Sequence, residues 1–267
     1  MSPNDKYTEE RITDLRTWVP GKLFSFCCTR SPGYRFVAGQ FARLGVRVAG
    51  QPDIVWRAYS MVSSPYDDHL EFFSIVVEGG LFTTALQSLQ VGDTVLVDKT
   101  AHGFLTTDRF AHGSATRRDL WMLSSGTGLA PFVSILHDLH VWQEYDRLIV
   151  VHSVRTAAEL AYADRLRSLP QHPVFGEFCT GRPDKLAYVP VVTREHVPGC
   201  LDARLTTLLD NQALEHHLGI TLDPATACVM LCGNPDMVRD LRQRLQARGF
   251  RAPRRGQPGN LAVENYW

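Results

Sequence analysis

Leu120-Trp121-Met122-Leu123-Ser124-Ser125-Gly126-Thr127-Gly128-Leu129-Ala130-Pro131 reads as an apolar strand, a turn with two glycines and the start of a helix. Glycines at such a turn let a dinucleotide phosphate approach the backbone, and Pro131 suits a first helical turn. Pro131 stands where the dinucleotide fingerprint G-x-G-x-x-G has its third glycine, so the stretch is a variant of that motif. Taken alone it is also what an ordinary strand–helix connection looks like. Its surroundings decide the matter.

Downstream, apolar strands at Leu148–Val151, Val189–Val192 and Cys228–Leu231 alternate with helical stretches at Pro131–Val141, Ala157–Leu169, Leu201–Leu209 and Pro235–Arg248. That alternation predicts a doubly wound α/β parallel sheet. Upstream the pattern is different. Lys22–Thr29, Phe36–Val46, Ile54–Ser60, Leu70–Val77 and Thr94–Lys99 are short apolar runs separated by Gly, Pro and Asp, with one helix near Thr83–Leu89. Many short strands at this spacing predict an antiparallel β-barrel. The polar stretch 111–118 is the expected linker, giving two domains at residues 1–112 and 118–267.

The 267 residues are 44% hydrophobic, enough for two cores, and 28 basic residues balance 28 acidic ones. The overall field therefore offers no pull toward nucleic acid or an acidic membrane. No apolar run approaches the roughly 20 residues that span a bilayer, and residues 1–16 lack the apolar core of a signal peptide. Six scattered cysteines without a small-domain disulfide pattern predict reduced thiols and a cytoplasmic location. Cys228 and Cys232 share a strand face about 13 Å apart, too far for a disulfide. No metal site is expected.

Arg57-Ala58-Tyr59-Ser60 closes a predicted strand, with Arg57 and Tyr59 on one face. Some twenty residues on, Glu78-Gly79-Gly80-Leu81-Phe82-Thr83-Thr84 is a glycine turn entering a helix. Backbone amides and the positive helix end there suit a phosphate, and Arg57 could add a cationic fork. Tyr59 offers a flat face for an isoalloxazine ring and Ser60 a hydroxyl near its polar edge. In isolation these residues also describe an edge strand and a hairpin.

Arg-x-Tyr-Ser followed by the glycine turn, with Phe36-Val37-Ala38-Gly39-Gln40-Phe41 upstream, resembles the FAD-binding barrel of the ferredoxin–NADP reductase family, and the likeness runs from Lys22 to the last residue. The resemblance implies tightly but non-covalently bound FAD, touched by Phe73, Ser74, Ile75, Leu81, Phe82 and Thr83. Gly126-Thr127-Gly128 resembles the family's nicotinamide-binding turn, with Thr127 near the flavin. An NAD-selective site carries an acid at the end of the next strand; this chain has Arg155 after Val154. Arg194 after Thr193, and Arg204, occupy the family's equivalent positions, and three guanidiniums favour the 2′-phosphate of NADP(H). His152 reads as a packed or solvated histidine.

The resemblance further places Cys232 where nicotinamide meets flavin, with Gly233 giving clearance, and lets Asp236 reach the NADP ribose. Of the terminal Val263-Glu264-Asn265-Tyr266-Trp267, Tyr266 would cover the flavin face opposite Tyr59, Glu264 would lie beside the nicotinamide, and Trp267 would stack on adenine. Ser60, Cys232, Glu264 and Tyr266 thus form the expected catalytic group, with hydride passing between nicotinamide and flavin.

The chain lacks iron–sulfur spacing, so a separate carrier must take single electrons; the family uses ferredoxin or flavodoxin, both acidic. Seven arginines between Arg239 and Arg255, against Asp240 alone, are either a solvated helix face or a steering surface. Arg30, Arg35 and Arg43 are further candidates. A monomer is expected. Rival readings are an NADPH-dependent free-flavin or quinone reductase and an FAD-binding relay subunit that does not use NADPH. The segment Pro170–Ala187 is long for a bacterial relative, and its expected position near the adenosine site bears on Arg194.

Overall fold

The computed structural model describes residues 6–110, 119–254, 257 and 259–265. The expected linker 111–118, together with Tyr266 and Trp267, lies outside the described residues. The first half is an antiparallel sheet of six strands: β1 (Tyr7–Val19), β2 (Leu23–Thr29), β3 (Phe41–Val46), β4 (Val55–Ser60), β5 (His69–Ile75) and β6 (Thr94–Asp98). Their order is β4-β3-β6-β1-β2-β5, with α1 (Leu81–Ser88) closing one end. The sheet curls until Met61 bridges Phe72 and the Val62 amide donates to the Glu71 carbonyl at 2.8 Å. This is the expected barrel, left partly open along the seam between β4 and β5.

Two boundaries differ from expectation. β1 went unrecognised because its alternation is carried by charged residues: only Glu10 and Ile12 of its thirteen residues are buried. It nonetheless spans the barrel, pairing with β6 through Tyr7–Arg11 and with β2 through Ile12–Val19. The expected strand Phe36–Val46 begins only at Phe41. Gly39, at φ +96°, turns the chain before it, and a Cβ there would lie 2.0 Å from the Leu105 carbonyl oxygen.

The second half is a five-stranded parallel sheet of β7 (Asp119–Ser125), β8 (Arg147–Val154), β9 (Leu186–Val192), β10 (Ala227–Gly233) and β11 (Leu261–Asn265), ordered β11-β10-β7-β8-β9. Helices α2 (Ala130–Leu136), α3 (Leu139–Glu144) and α4 (Ala163–Ser168) cover one face, and α5 (Leu205–Asp210), α6 (Ala213–Leu218) and α7 (Pro235–Ala247) the other. The expected helix Pro131–Val141 is split, since Asp138 caps α3 by accepting from the His140 amide at 3.0 Å. The stretch Ala157–Leu169 is split at Tyr162, which sits at φ 62°. β11 was not expected; it adds the last described residues to the sheet edge.

The strand order reverses between β7 and β10, which opens a crevice beyond the carboxyl ends of those strands. One apolar core lies on the α2–α4 face and runs without a break into the barrel. It contains Leu23, Val62, Phe73 and Leu105 from the first half beside Met122, Phe132 and Trp142 from the second. That continuity fixes the barrel seam beside the crevice.

Candidate functional site

A cleft of about 800 Å³ fills the crevice. Its floor is Ser125, Gly126 and Thr127 after β7, and Gly233 and Asn234 after β10. Ser153, Val154 and Arg155 after β8, Thr193 and Arg194 after β9, and Arg204 at the head of α5 form one wall. Lys22, Leu23 and Ile75 come from the barrel side. The expected nucleotide residues Thr127, Val154, Arg155, Thr193, Arg194, Arg204 and Asp236 are all brought to this one space.

The backbone explains the convergence of the arginines. The Thr193 amide donates to the Val154 carbonyl at 3.0 Å and the Arg194 amide to the Arg155 carbonyl at 2.9 Å, so β8 and β9 end with their arginines adjacent. Leu201 then bridges Val191, returning the chain to the edge of β9 and setting Arg204 at the N-terminus of α5. Arg155 is itself held: Glu159, in the single turn Ala157–Glu159, accepts from the Arg155 amide at 3.0 Å and forms an ion pair with its Nη2 at 3.2 Å. The same carboxylate takes a hydrogen bond from Lys22. Burial alone would raise the Glu159 carboxyl, but the Lys22 and Arg155 contacts outweigh it and hold the group below its usual range.

The two glycines of the opening turn do different work. Gly126, at φ 53°, has open space where a Cβ would stand and is the glycine facing the cleft. A Cβ on Gly128 would lie 2.4 Å from the Cys232 carbonyl oxygen, and one on Gly233, 2.4 Å from Ser125 Oγ. Those two glycines interlock the ends of β7 and β10, and Gly233 also lines the cleft. Beneath the turn, His152 is fully buried and its Nε2 contacts the Gly126 carbonyl at 3.1 Å. A carbonyl only accepts, so Nε2 carries the proton. Burial pushes the ring down to about 4, and of the packed and solvated readings the packed one holds.

The barrel residues cluster at the seam. Tyr59 Oη lies 2.9 Å from Ser74 Oγ, bridging β4 to β5. Ser74 donates its one proton to the Ile75 carbonyl, so Tyr59 is the donor to Ser74. The Tyr59 ring lies 5.6 Å from Phe82, and Arg57, exposed on the same strand, donates to the Trp56 carbonyl at 2.8 Å. Ala58 is exposed between them, opposite Arg43.

No side chain caps α1, because its N-cap is Gly80; its first-turn amides are left for a ligand. Phe82 is 2% exposed and Thr83 bonds Val77 and Gly80, so these two can offer a ligand only backbone. Phe73 is likewise turned away, its ring packed on Trp18 and Tyr162 in the shared core.

Ser60 pairs with Phe41 on β3, and Glu264 Oε1 and the Phe41 ring together enclose Gly103. Cys232 is the ladder partner of Glu264 and is wholly buried. The three expected catalytic residues thus share one neighbourhood around Phe41, outside the nucleotide cleft; their expected companion Tyr266 lies outside the described residues.

Three of the seven arginines of the basic run are paired with acids. Arg239 pairs with Asp236 at 2.6 Å, Arg244 with Asp210 at 2.8 Å and Arg248 with Glu215 at 2.9 Å. On the barrel, Arg30 donates to the carbonyls of Tyr34, Pro65 and Asp67, Arg35 donates to that of Pro32, and Arg43 lies 3.9 Å from Asp98. The long segment before β9 packs Phe175 on Trp142, ring to ring at 5.3 Å. None of its residues lines the cleft, which removes its bearing on Arg194.

Lys22 and Glu159 escaped the sequence reading. Glu159 carried a weak signal, lying four residues past Arg155, but its partner Lys22 is 137 positions away. Cys27, His69 and Glu71 have donor atoms within 4.8 Å of one another. Glu71 is already bound by Tyr162 Oη at 2.7 Å and Arg165 Nη1 at 2.9 Å. Burial and the Glu71 charge push the Cys27 thiol up to about 12, favouring its protonated form.

Residues 22–104 match the family model for the oxidoreductase FAD-binding domain, and residues 122–243 that for the oxidoreductase NAD-binding domain. Ferredoxin–NADP reductase A of Sorangium cellulosum is 42% identical over 97% of this chain and 89% of its own. Ferredoxin–NADP reductase of Pseudomonas aeruginosa is 40% identical over 97% and 96%. The flavodoxin/ferredoxin–NADP reductase of Escherichia coli is 35% identical over 96% and 97%. A crystal structure of a ferredoxin NADP+ reductase from Neisseria gonorrhoeae with bound FAD and NADP superposes at a TM-score of 0.87 with 38% identity, covering 98% of this chain and 99% of that one. An open antiparallel barrel feeding a parallel sheet, three arginines lining the crevice and full-length relatives agree: the chain belongs to the ferredoxin–NADP reductase family.

Proposed function

We infer that this protein is an FAD-dependent ferredoxin– or flavodoxin–NADP+ reductase. The observation that carries the reading is the cleft at the strand switch, where Arg155, Arg194 and Arg204 meet beside the barrel seam. FAD, when bound, exchanges a hydride with the nicotinamide and single electrons with the carrier. The residues supply placement. The uncapped amides of α1 and the Arg57 guanidinium suit the FAD pyrophosphate, and Tyr59, fixed by Ser74, presents its ring along the seam. The arginines suit a 2′-phosphate, which a neutral ribose hydroxyl would not repay.

Ser60, Cys232 and Glu264 would border the point where the two rings meet, and Tyr266 and Trp267 would cover the flavin. Residues 1–112 and 118–267 are the two units we assign to FAD and NADP(H). The same reading makes the protein a cytoplasmic monomer, and its six cysteines, none of them in a disulfide, suit a reducing compartment. No helix among the described residues is long and apolar enough to cross a membrane.

The test is an anaerobic titration of the purified yellow protein. NADPH should bleach the bound flavin and NADH should do so far less well, with reduced ferredoxin or flavodoxin formed when carrier is added. A flavin that NADPH leaves oxidised would replace this reading with the relay-subunit one. Reduction of free flavin or quinone, with no transfer to either carrier, would favour the other rival.

A further inference from the structure

Glu159 is an acid inside a site built for an anion. The residue is 7% exposed and its contacts are divided between two walls of the cleft. Oε2 accepts the Arg155 amide at 3.0 Å, while Oε1 accepts the Lys22 ammonium and is ion-paired with Arg155 Nη2 at 3.2 Å. Lys22 belongs to the turn before β2 on the barrel side; Arg155 ends β8 in the parallel sheet. Half of the Arg155 side chain stays exposed to the cleft.

An unheld arginine loses rotamer freedom when it meets a phosphate, and that loss weakens the contact. An arginine whose amide is hydrogen-bonded and whose guanidinium is ion-paired to one carboxylate has lost part of it already. The Glu159 oxygens are already engaged by the Arg155 amide, the Lys22 ammonium and the Arg155 guanidinium charge, which competes with ribose hydroxyls of the kind the acid of an NAD site accepts.

We propose that Glu159 is a positioning residue for NADP(H) selectivity: it presets Arg155 for the 2′-phosphate and uses Lys22 to hold the barrel wall against the same carboxylate. The inference rests on the proposed NADP(H) reading and adds to it a residue that touches no substrate.

Charge alone makes the opposite prediction. Removing an acid from the cleft raises its positive potential, which would favour the ligand with the extra phosphate. Loss of positioning harms only contacts to that phosphate. The ratio of NAD+ to NADP+ dissociation constants therefore separates the two accounts by sign.

Wild type, Glu159→Gln and Glu159→Ala would be titrated with NADP+, NAD+ and 2′,5′-ADP by difference absorbance of the bound flavin, with flavin content and melting temperature recorded for each. Preference for NADP+ over NAD+ should fall about tenfold or more in Glu159→Ala. The fall should be smaller in Glu159→Gln, whose amide oxygen still accepts from the Arg155 amide. In an Arg155→Gln background the further change Glu159→Gln should leave the ratio unmoved. A preference that rises or stays constant in a folded, flavin-loaded Glu159→Ala overturns the proposal and leaves the function intact. A wild type that binds neither NADP+ nor 2′,5′-ADP overturns both. Should Glu159→Ala lose its flavin or its fold, Glu159→Gln alone decides, with the same two directions of the ratio.

Discussion

A histidine whose ring is sealed from water beneath a ligand-binding turn couples that turn to acid. His152 donates to the Gly126 carbonyl and its pKa is pushed down to about 4 from an ordinary 6.5, by burial. The unfolded chain binds the proton first as pH falls. The resulting stability is therefore complete above about pH 6.5 and lost progressively toward pH 4, and it amounts to on the order of 3 kcal/mol. His137 lies in the same range for the same reason. Melting temperature should thus drop steeply between pH 6.5 and 4, and His152→Gln should flatten that slope. A wild-type melting curve that ignores pH across this window would count against the buried neutral ring. The sequence left His152 either packed or solvated, and the structure buries it completely. Its hydrogen bond was not legible, because the partner is a carbonyl in a turn 26 residues away.

At the scale of the elements, α1 is the piece to which the proposed reading assigns the FAD pyrophosphate. Its N-cap, Gly80, leaves room where a Cβ would sit 2.9 Å from Thr83 Oγ1 and 3.0 Å from the Val77 carbonyl. Gly80→Ala would push the turn away from the hydroxyl that braces it. The expected result is a several-fold weaker hold on FAD, seen as free flavin passing an ultrafiltration membrane, with an unchanged far-ultraviolet spectrum. The glycine pair was legible because few other residues serve that turn.

Strands with ordinary apolar alternation were equally legible. β1 was not, since Glu10 takes an inward position that a pattern reader reserves for apolar residues. The helices that broke early did so at Asp138 and Tyr162. The first is a capping side chain whose role depends on the loop before it; the second is a left-handed residue held by tertiary contacts. Local spacing predicted the arginines; it could not predict that Arg244 and Arg248 would be matched by acids more than thirty positions away.

Across the whole molecule, the two sheets are joined by apolar packing and by polar contacts at its margin. Glu71 on β5 binds Tyr162 and Arg165 from the other half, and Lys22 reaches Glu159. A large apolar interface makes independent movement of the halves costly. Unfolding in urea should therefore give one transition, coincident by flavin fluorescence and by far-ultraviolet circular dichroism. Glu71→Ala removes the carboxylate that accepts from the buried Tyr162 hydroxyl and pairs with Arg165, and should lower stability by about 1–3 kcal/mol. Two separated transitions in the wild type would show that the halves melt apart.

The core shared between the halves has a consequence for how the protein is made. Synthesis runs from the barrel toward the parallel sheet, so the barrel leaves the ribosome with Leu23, Phe73 and Leu105 facing no partner. Until Phe132 and Trp142 follow, that face is bare and sticky, and is the surface a chaperone would be expected to hold. A recombinant barrel cut after residue 110 would keep the same bare face permanently. It should accumulate as inclusion bodies, whereas the intact chain remains in the supernatant.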